Sequence, residues 1–133
     1  AIKALIGLPV FMLTIHASGG QEMIRRAAKA ADWLEEQGQR RPLVIAVTVL
    51  TSLDNGDIMA IGMQGTTQEQ AVHLAKLAQA AGADGVVCSP HEIQAIREAC
   101  GDAFVTVVPG IRPQGAALGD QKRAMTPREA MDA

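Results

Sequence analysis

Four short, apolar, β-prone segments alternate with helical segments along the chain, and this alternation limits the possible folds more than any other feature. The four segments span residues 10–15, 42–50, 83–89 and 104–108. Strands that are apolar throughout, rather than at every second residue, are typical of a parallel sheet with both faces covered. Parallel neighbours need crossover connections, which are usually helices. We therefore predict an α/β fold with a parallel sheet, in which the strand at 10–15 is buried on both faces.

Helical patterns occupy the intervals between these strands. Residues 21–37 carry apolar residues at three-to-four spacing with charged residues between them. Thr66 or Thr67 can cap the next helix, and Ser89–Pro90 can begin a third with proline in its first turn. Between the second strand and the helix that begins near Thr66, the pair Asn55–Gly56 predicts a turn.

Two architectures fit this pattern, an open doubly wound sheet and a (β/α)8 barrel, and local sequence does not separate them. Both place functional loops at the carboxyl ends of the strands. Polar sequence follows each predicted strand, in the stretches HASGG, TSLDNGD, CSPHE and PGIRPQG. We expect several of these loops to converge on one site.

The number of strands bears on the extent of the domain. The chain begins and ends in helical sequence, and four strands of a barrel that needs eight would leave open edges. We therefore expect residues 1–133 to be one partial barrel domain that contains about four βα units. A self-contained sheet of four or five strands is the alternative.

Composition and charge argue against several classes of function. A formal net charge of −2 gives no general attraction for nucleic acid or anionic membranes, and aromatic residues make up only 2%. No segment approaches the roughly 20 apolar residues of a membrane span, and no signal peptide is recognisable. Cys88 and Cys100 lack CxxC spacing, which disfavours a disulfide framework or a zinc site. We expect a cytoplasmic protein without metal, membrane or nucleic-acid partners.

The loop after the fourth strand, residues 107–127, has the composition of an anion site. Pro109 stiffens the exit from the strand, and Gly110 lets the backbone adopt positive φ or approach a ligand closely. Arg112 supplies a planar fork of donors, and Gln121 adds a neutral amide. A phosphate monoester would suit these groups. The alternative is a solvated surface loop in which Arg112 pairs with a neighbouring acid, and we expect the other charged residues of the loop to be solvated or paired with one another.

Hydroxyl groups follow the second strand at Thr51 and Ser52. They can donate to and accept from a ring imide or carbonyl, although turn or capping roles are the alternative. Cys88 has the setting of a small core residue rather than a reactive thiolate. The chain contains no HExxH, GxGxxG or GxxxxGK[ST] motif, so nicotinamide, flavin or ATP binding in familiar forms is unsupported.

Six stretches occur in one order, HASGG, VTVLTS, GADGVVCSPHE, VVPGIRPQG, GDQKR and MTPREA. Together they closely resemble the bacterial-type orotidine 5′-phosphate decarboxylase family over nearly the whole chain. The resemblance implies a (β/α)8 barrel, usually a homodimer, that converts orotidine 5′-monophosphate to uridine 5′-monophosphate and carbon dioxide in pyrimidine synthesis. It also implies that neither a metal nor an organic cofactor takes part.

The resemblance implies substrate-binding roles for Thr51, Ser52, Pro109, Gly110, Arg112 and Gln121. Thr51 and Ser52 match residues on the pyrimidine side of the substrate. Gln121 matches a glutamine that reaches from the phosphate toward the base. Arg112 matches an arginine on the phosphate side, with Pro109 and Gly110 at the base of the same loop.

Two elements of the family pattern are missing from these 133 residues. The catalytic Asp-x-Lys-x-x-Asp motif would precede Ala1, and a Gly-Arg-Pro element would follow Ala133. We therefore assign no catalytic residue here, and Lys3 is not a substitute for the missing lysine. Two alternatives remain, namely a metal-dependent phosphate-binding barrel decarboxylase or aldolase, and a non-catalytic half-barrel binding module.

Overall fold

The computed structural model describes every residue from Ala1 to Ala133 and contains four strands and five α-helices. In chain order they are β1 (Met12–His16), α1 (Gln21–Glu36), β2 (Leu43–Val47), α2 (Asn55–Ala60), α3 (Thr67–Ala80), β3 (Gly85–Val87), α4 (Ile93–Cys100), β4 (Val105–Val107) and α5 (Pro127–Asp132). Short 3-10 helices lie at Ile2–Leu5, Ala17–Gly19 and Pro90–Glu92. None of the helices combines the length and the apolar character that crossing a membrane requires.

The four strands form one parallel sheet in the order β1-β2-β3-β4. Each strand therefore lies beside the next strand in the chain, and the order never reverses. A doubly wound sheet reverses its strand order at a switch point, whereas a barrel does not. The topology thus selects the barrel alternative, and the chain forms four consecutive βα units of a (β/α) barrel.

The main hydrophobic core lies between the sheet and its helices. Ala46 of β2 and Val86 of β3 pack with Ile24 of α1, Ala75 of α3 and Ile96 of α4, and all five are fully buried. The small alanine side chains of α3 let this helix lie close to the sheet. The core fixes the strands, and so fixes where their carboxyl-terminal loops begin.

Burial along β1 differs from the prediction. Met12, Thr14 and His16 are exposed, while Leu13 and Ile15 pack against the helical layer. β1 is an edge strand, and nothing in this chain covers its second face, so the expectation of burial on both faces was wrong for β1. The same expectation is confirmed for the centre of β2, where three consecutive residues are fully buried.

The predicted turn at Asn55–Gly56 is also wrong, because these residues begin α2. The Asp54 side chain accepts a hydrogen bond from the backbone N of Asp57, and the Asp57 side chain accepts one from the backbone N of Asp54, each at 3.0 Å. This reciprocal capping box satisfies amide groups that the first turn of a helix leaves free. Thr66, rather than Thr67, caps α3 in the same way.

Candidate functional site

Two loops from different strands meet at the carboxyl edge of the sheet. Thr51, in the loop after β2, donates a hydrogen bond from its Oγ1 to Oε1 of Gln121, in the loop after β4, at 2.6 Å. The two residues are 70 positions apart in the chain. Thr51 is buried and Gln121 is half-buried, so the contact is partly screened from water.

Gly110, at the root of the loop after β4, completes this contact. The residue is buried and has a φ of +81°, a conformation that L side chains rarely adopt. A Cβ atom at this position would lie only 2.8 Å from Oε1 of Gln121. The absence of a side chain therefore lets the amide approach the backbone. We call Thr51, Gly110 and Gln121 the Gln121 cluster.

The Gln121 cluster leaves donor groups free for a ligand. Because Thr51 occupies Oε1, the Nε2 group of Gln121 is the outward donor, and its one partner within the chain is the carboxylate of Asp120 at 3.2 Å. The half-buried Ser52 follows Thr51, and its hydroxyl has no hydrogen-bond partner within the chain. Amide and hydroxyl donors of this kind suit carbonyl and phosphate oxygens.

Arg112 lies apart from the Gln121 cluster. Its Nη1 donates to the carbonyl of the preceding residue, Ile111, at 2.9 Å, and no carboxylate pairs with it. The alternative in which Arg112 pairs with a neighbouring acid is therefore wrong. The guanidinium borders an open depression of about 280 Å³, which no residue of the Gln121 cluster lines, and Pro109 is exposed at the loop root.

The loop is closed at its base by the backbone. Ile111 forms an isolated parallel bridge with Met125, and the Arg112 backbone N donates to the Met125 carbonyl at 2.9 Å. The residues between these points form one excursion that leaves the sheet and comes back. We call its final part, residues 121–124, the return segment.

Lys122 of the return segment forms ion pairs with two carboxylates at the start of α2. Its Nζ lies 2.5 Å from the carboxylate of Asp57 and 3.3 Å from that of Asp54. Hydrogen bonds to Asp57 and then Asp54 raise the pKa of Lys122, and the bond from Lys122 lowers the pKa of Asp57. The side chain of Lys122 is about half exposed, as expected for a solvated lysine, but its ion-pair partners lie at the start of α2 rather than within its own loop.

Arg123 is the residue that sequence reasoning missed most clearly. Its guanidinium pairs with the carboxylate of Glu92, which is 1% exposed. The partners are 31 positions apart, and no local pattern links them. The only available signal was the serine-to-glutamate spacing of the capping box at Ser89, which places Glu92 at a helix start but does not reveal its partner.

The carboxyl edge of the sheet carries neither a reactive cysteine nor a cluster of metal-binding side chains. Cys88 is buried at the end of β3, and burial raises the pKa of its thiol to about 12, so it is a core residue as expected and not a nucleophile. No group of three or more His, Cys, Asp and Glu side chains is arranged to hold a metal ion.

Solved structures with the same fold support the barrel assignment. The chain matches the crystal structure of orotidine 5′-phosphate decarboxylase from Lactobacillus acidophilus with a TM-score of 0.79 and 37% identity, covering 98% of this chain and 54% of that one. An uncharacterized conserved protein from Geobacillus kaustophilus gives a TM-score of 0.78 at 32% identity, with the same two coverages. The fold defines part of a (β/α) barrel protein, and its candidate site lies at the carboxyl ends of the strands.

The chain belongs to the orotidine 5′-phosphate decarboxylase / HUMPS family, whose family model matches residues 1–133. It is 48% identical over 132 residues to the orotidine 5′-phosphate decarboxylase of Actinobacillus pleuropneumoniae serotype 5b, and 52% identical over 132 residues to that of Gluconobacter oxydans. These matches cover 99% of this chain and 56% of each relative. The chain thus spans about half the length of these relatives, and the resemblance inferred from its motifs is confirmed.

Proposed function

We propose that the intact protein that carries this chain converts orotidine 5′-monophosphate to uridine 5′-monophosphate and carbon dioxide, as a carboxy-lyase of pyrimidine synthesis. The observation that carries the proposal is the identity of 48% and 52%, over nearly the whole chain, to relatives named orotidine 5′-phosphate decarboxylase. Residues 1–133 would contribute four βα units to one barrel domain. This part supplies substrate-binding groups rather than the proton donor.

The proposed roles are those that the family resemblance implies, and the donors at the strand ends support them. Thr51, whose hydroxyl proton is donated to Gln121, can accept a hydrogen bond from the imide N–H of the pyrimidine ring, and the Ser52 hydroxyl can donate to a ring carbonyl. Gln121 carries its Nε2 group between the base and the phosphate, with one N–H bonded to Asp120 and the second available to the ligand. Its orientation is supported by the 2.6 Å bond from Thr51.

The phosphate side of the site is assigned to the loop after β4. Arg112 has no carboxylate partner, so its guanidinium is available for a phosphate dianion, which it can bind through two donors at once. Pro109 and Gly110 form the root of the loop. Proline fixes its own φ angle there, and glycine allows the positive φ that follows. Movement of the loop toward the ligand would bring Arg112 and Gln121 to the same phosphate.

Phosphate binding would assist a reaction that takes place at some distance from it. Loss of carbon dioxide leaves an electron pair on the ring carbon, and that carbanion must then receive a proton. A loop that closes over the phosphate excludes water and stabilises the closed site in which this charge develops. No residue among these 133 is assigned to the proton transfer, which the family resemblance attributes to an Asp-x-Lys-x-x-Asp motif.

The assembly and location of the protein are part of the same proposal. The family resemblance supports a homodimer, and two free cysteines with no disulfide between them are consistent with the reducing cytoplasm. Sedimentation equilibrium of the intact protein tests the first point, since a monomer at micromolar concentration would contradict it. Fractionation of source cells tests the second.

The decisive experiment follows the loss of orotidine 5′-monophosphate absorbance with the intact protein, with and without a chelator. Turnover that resists the chelator supports the proposal. Turnover that the chelator abolishes would favour a metal-dependent barrel decarboxylase or aldolase. Binding of uridine 5′-monophosphate without any turnover would favour a non-catalytic binding module.

A further inference from the structure

Arg123 connects three groups from two different strand-end loops. Its Nε donates to the carbonyl of Leu53 at 2.8 Å and its Nη2 to the carbonyl of Leu50 at 3.1 Å. Its Nη1 pairs with the carboxylate of Glu92. Both carbonyls belong to the loop after β2, on either side of Thr51. One side chain therefore holds the segment that presents the threonine hydroxyl.

Glu92 is built to keep this cation in place. One carboxylate oxygen pairs with Arg123, and the other accepts a hydrogen bond from the backbone N of Ser89 at 2.9 Å. The Ser89 hydroxyl in turn lies 3.2 Å from the backbone carbonyl of Arg123, to which it donates. A carboxylate that is 1% exposed persists only when its charge and its oxygens have partners, as they do here.

The position of Arg123 in the return segment gives these contacts a consequence for the site. Arg123 follows Gln121 by two residues, and the Arg123 side chain donates hydrogen bonds to the loop that carries Thr51. The two segments that it joins are therefore the two that meet in the 2.6 Å bond of the Gln121 cluster. Lys122 also ties the return segment, but its pairs are about half exposed and so contribute less.

We propose that Arg123, together with its buried partner Glu92, is a positioning residue that holds the return segment so that Gln121 stays against Thr51. It acts through Gln121 and need not touch the substrate. The catalytic consequence rests on the proposed function, whereas the structural consequence does not. The two consequences can therefore be tested separately.

The first test is hydrogen–deuterium exchange of the intact protein carrying Arg123→Lys. Lysine keeps the charge beside Glu92 but cannot reach three acceptors in a planar fork. The backbone N–H of Gln121, which donates to the Leu118 carbonyl, should exchange faster, while the backbone N–H groups of β2 should exchange at unchanged rates. Arg128→Lys is the matched control, because Arg128 is exposed and has no hydrogen-bond partner within the chain. Exchange at Gln121 that is the same in both variants would overturn the proposal.

The second test is a double-mutant cycle with Gln121→Ala, measured as kcat/KM for orotidine 5′-monophosphate. Arg123→Lys alone should lower kcat/KM by about 100-fold, the order expected for a displacement near 1 Å of a substrate-positioning group. In the Gln121→Ala background the same change should cost little more, since the residue it positions is already gone. Losses that multiply would show that Arg123 does not act through Gln121, and would also overturn the proposal.

The design separates the two hypotheses. If the intact protein decarboxylates nothing, the proposed function fails, but the exchange comparison still decides whether Arg123 positions the return segment. If Arg123→Lys does not fold, the neutral pair Arg123→Gln with Glu92→Gln leaves no buried charge unpaired and replaces it in both tests. Faster exchange at Gln121 in that pair supports positioning, and unchanged exchange contradicts it.

Discussion

At the residue scale, Gly110 shows how a single missing side chain shapes the site. Its backbone has a φ of +81°, and a Cβ atom there would lie 2.8 Å from the side-chain Oε1 of Gln121. Gly115, in the same loop, has a φ of +83° but nothing within 4 Å of its Cβ position. The two glycines carry similar backbone constraints, but only Gly110 lies against the Gln121 side chain.

This pair allows backbone strain to be separated from displacement of the amide. We expect Gly110→Ala and Gly115→Ala each to lose on the order of 1 kcal/mol of stability, because alanine disfavours positive φ. Only Gly110→Ala should also push Gln121 away from Thr51 and lower kcat/KM, by about 100-fold for a displacement near 1 Å. Urea unfolding and steady-state kinetics measure the two effects. Equal kinetic losses would mean that the Cβ contact is unimportant.

Gln121 and Arg112 lead to a prediction about the phosphate. Gln121→Ala and Arg112→Ala should each remove about 1.5–3 kcal/mol of transition-state stabilisation, the range for hydrogen bonds to charged groups. The loss should appear with orotidine 5′-monophosphate and be much smaller with the phosphate-free nucleoside. Comparison of kcat/KM for the two substrates tests this, with Gln114→Ala, an exposed residue of the same loop, as the control. Identical losses on both substrates would contradict the phosphate assignment.

At the element scale, a polar clamp joins β2 and β3 at the end of the sheet opposite the site. Oδ2 of Asp84 accepts hydrogen bonds from the backbone N of Val44 and from Nη1 of Arg41, each at 2.7 Å. The Asp84 backbone N donates to the Val44 carbonyl at 2.8 Å. The clamp fixes the relative register of the two central strands, and so contributes to stability rather than to chemistry.

Asp84→Ala should therefore destabilise the protein by about 1–3 kcal/mol, because it leaves the Val44 amide and one arm of Arg41 without an acceptor. Asp32 offers a matched control, since it pairs with the same arginine at 2.7 Å but its side chain is 58% exposed. Asp32→Ala should cost only about 0–1 kcal/mol. Urea unfolding of the two variants decides the point. Similar losses would mean that the bond to the strand backbone adds nothing.

At the scale of the whole molecule, the long loop after β4 is fastened to two other loops by ion pairs of different character. The Arg123–Glu92 pair is buried, whereas the pairs of Lys122 with Asp54 and Asp57 lie in contact with water. Water and salt weaken an exposed pair far more than a buried one. The exposed pairs should therefore be the first to release the return segment.

Release of the return segment from α2 should depend on pH through the carboxylate of Asp57. Its pKa is lowered below the usual 3.8 by the hydrogen bond from Lys122, so the stabilisation is present above pH 3.8 and is lost as the pH falls through the lowered pKa. Amide exchange at Gln121, corrected for its intrinsic pH dependence, should accelerate in that window. Asp57→Asn should abolish the transition and leave exchange uniformly faster. A transition that persists in Asp57→Asn would assign it to another group.

Features that depend on neighbours within a few residues were determined by the sequence itself. Apolar strands alternating with amphipathic helices predicted a parallel α/β fold, and the threonine pair at 66–67 marked a helix start that the structure confirms, with Thr66 as the cap. The strand-end motifs also singled out Thr51 and Gln121 before either had a known neighbour. Periodicity, caps and turn chemistry are local interactions, so local sequence is sufficient to specify them.

Features that depend on distant parts of the chain were decided only by the tertiary structure. The consecutive strand order selected the barrel over the doubly wound sheet, and the edge position of β1 exposed a face that its sequence suggested would be buried. The Thr51–Gln121 bond joins residues 70 positions apart, and the Arg123–Glu92 pair joins residues 31 apart. Such contacts arise from the way the crossover helices pack the strands together, and no pattern within a single segment encodes that arrangement.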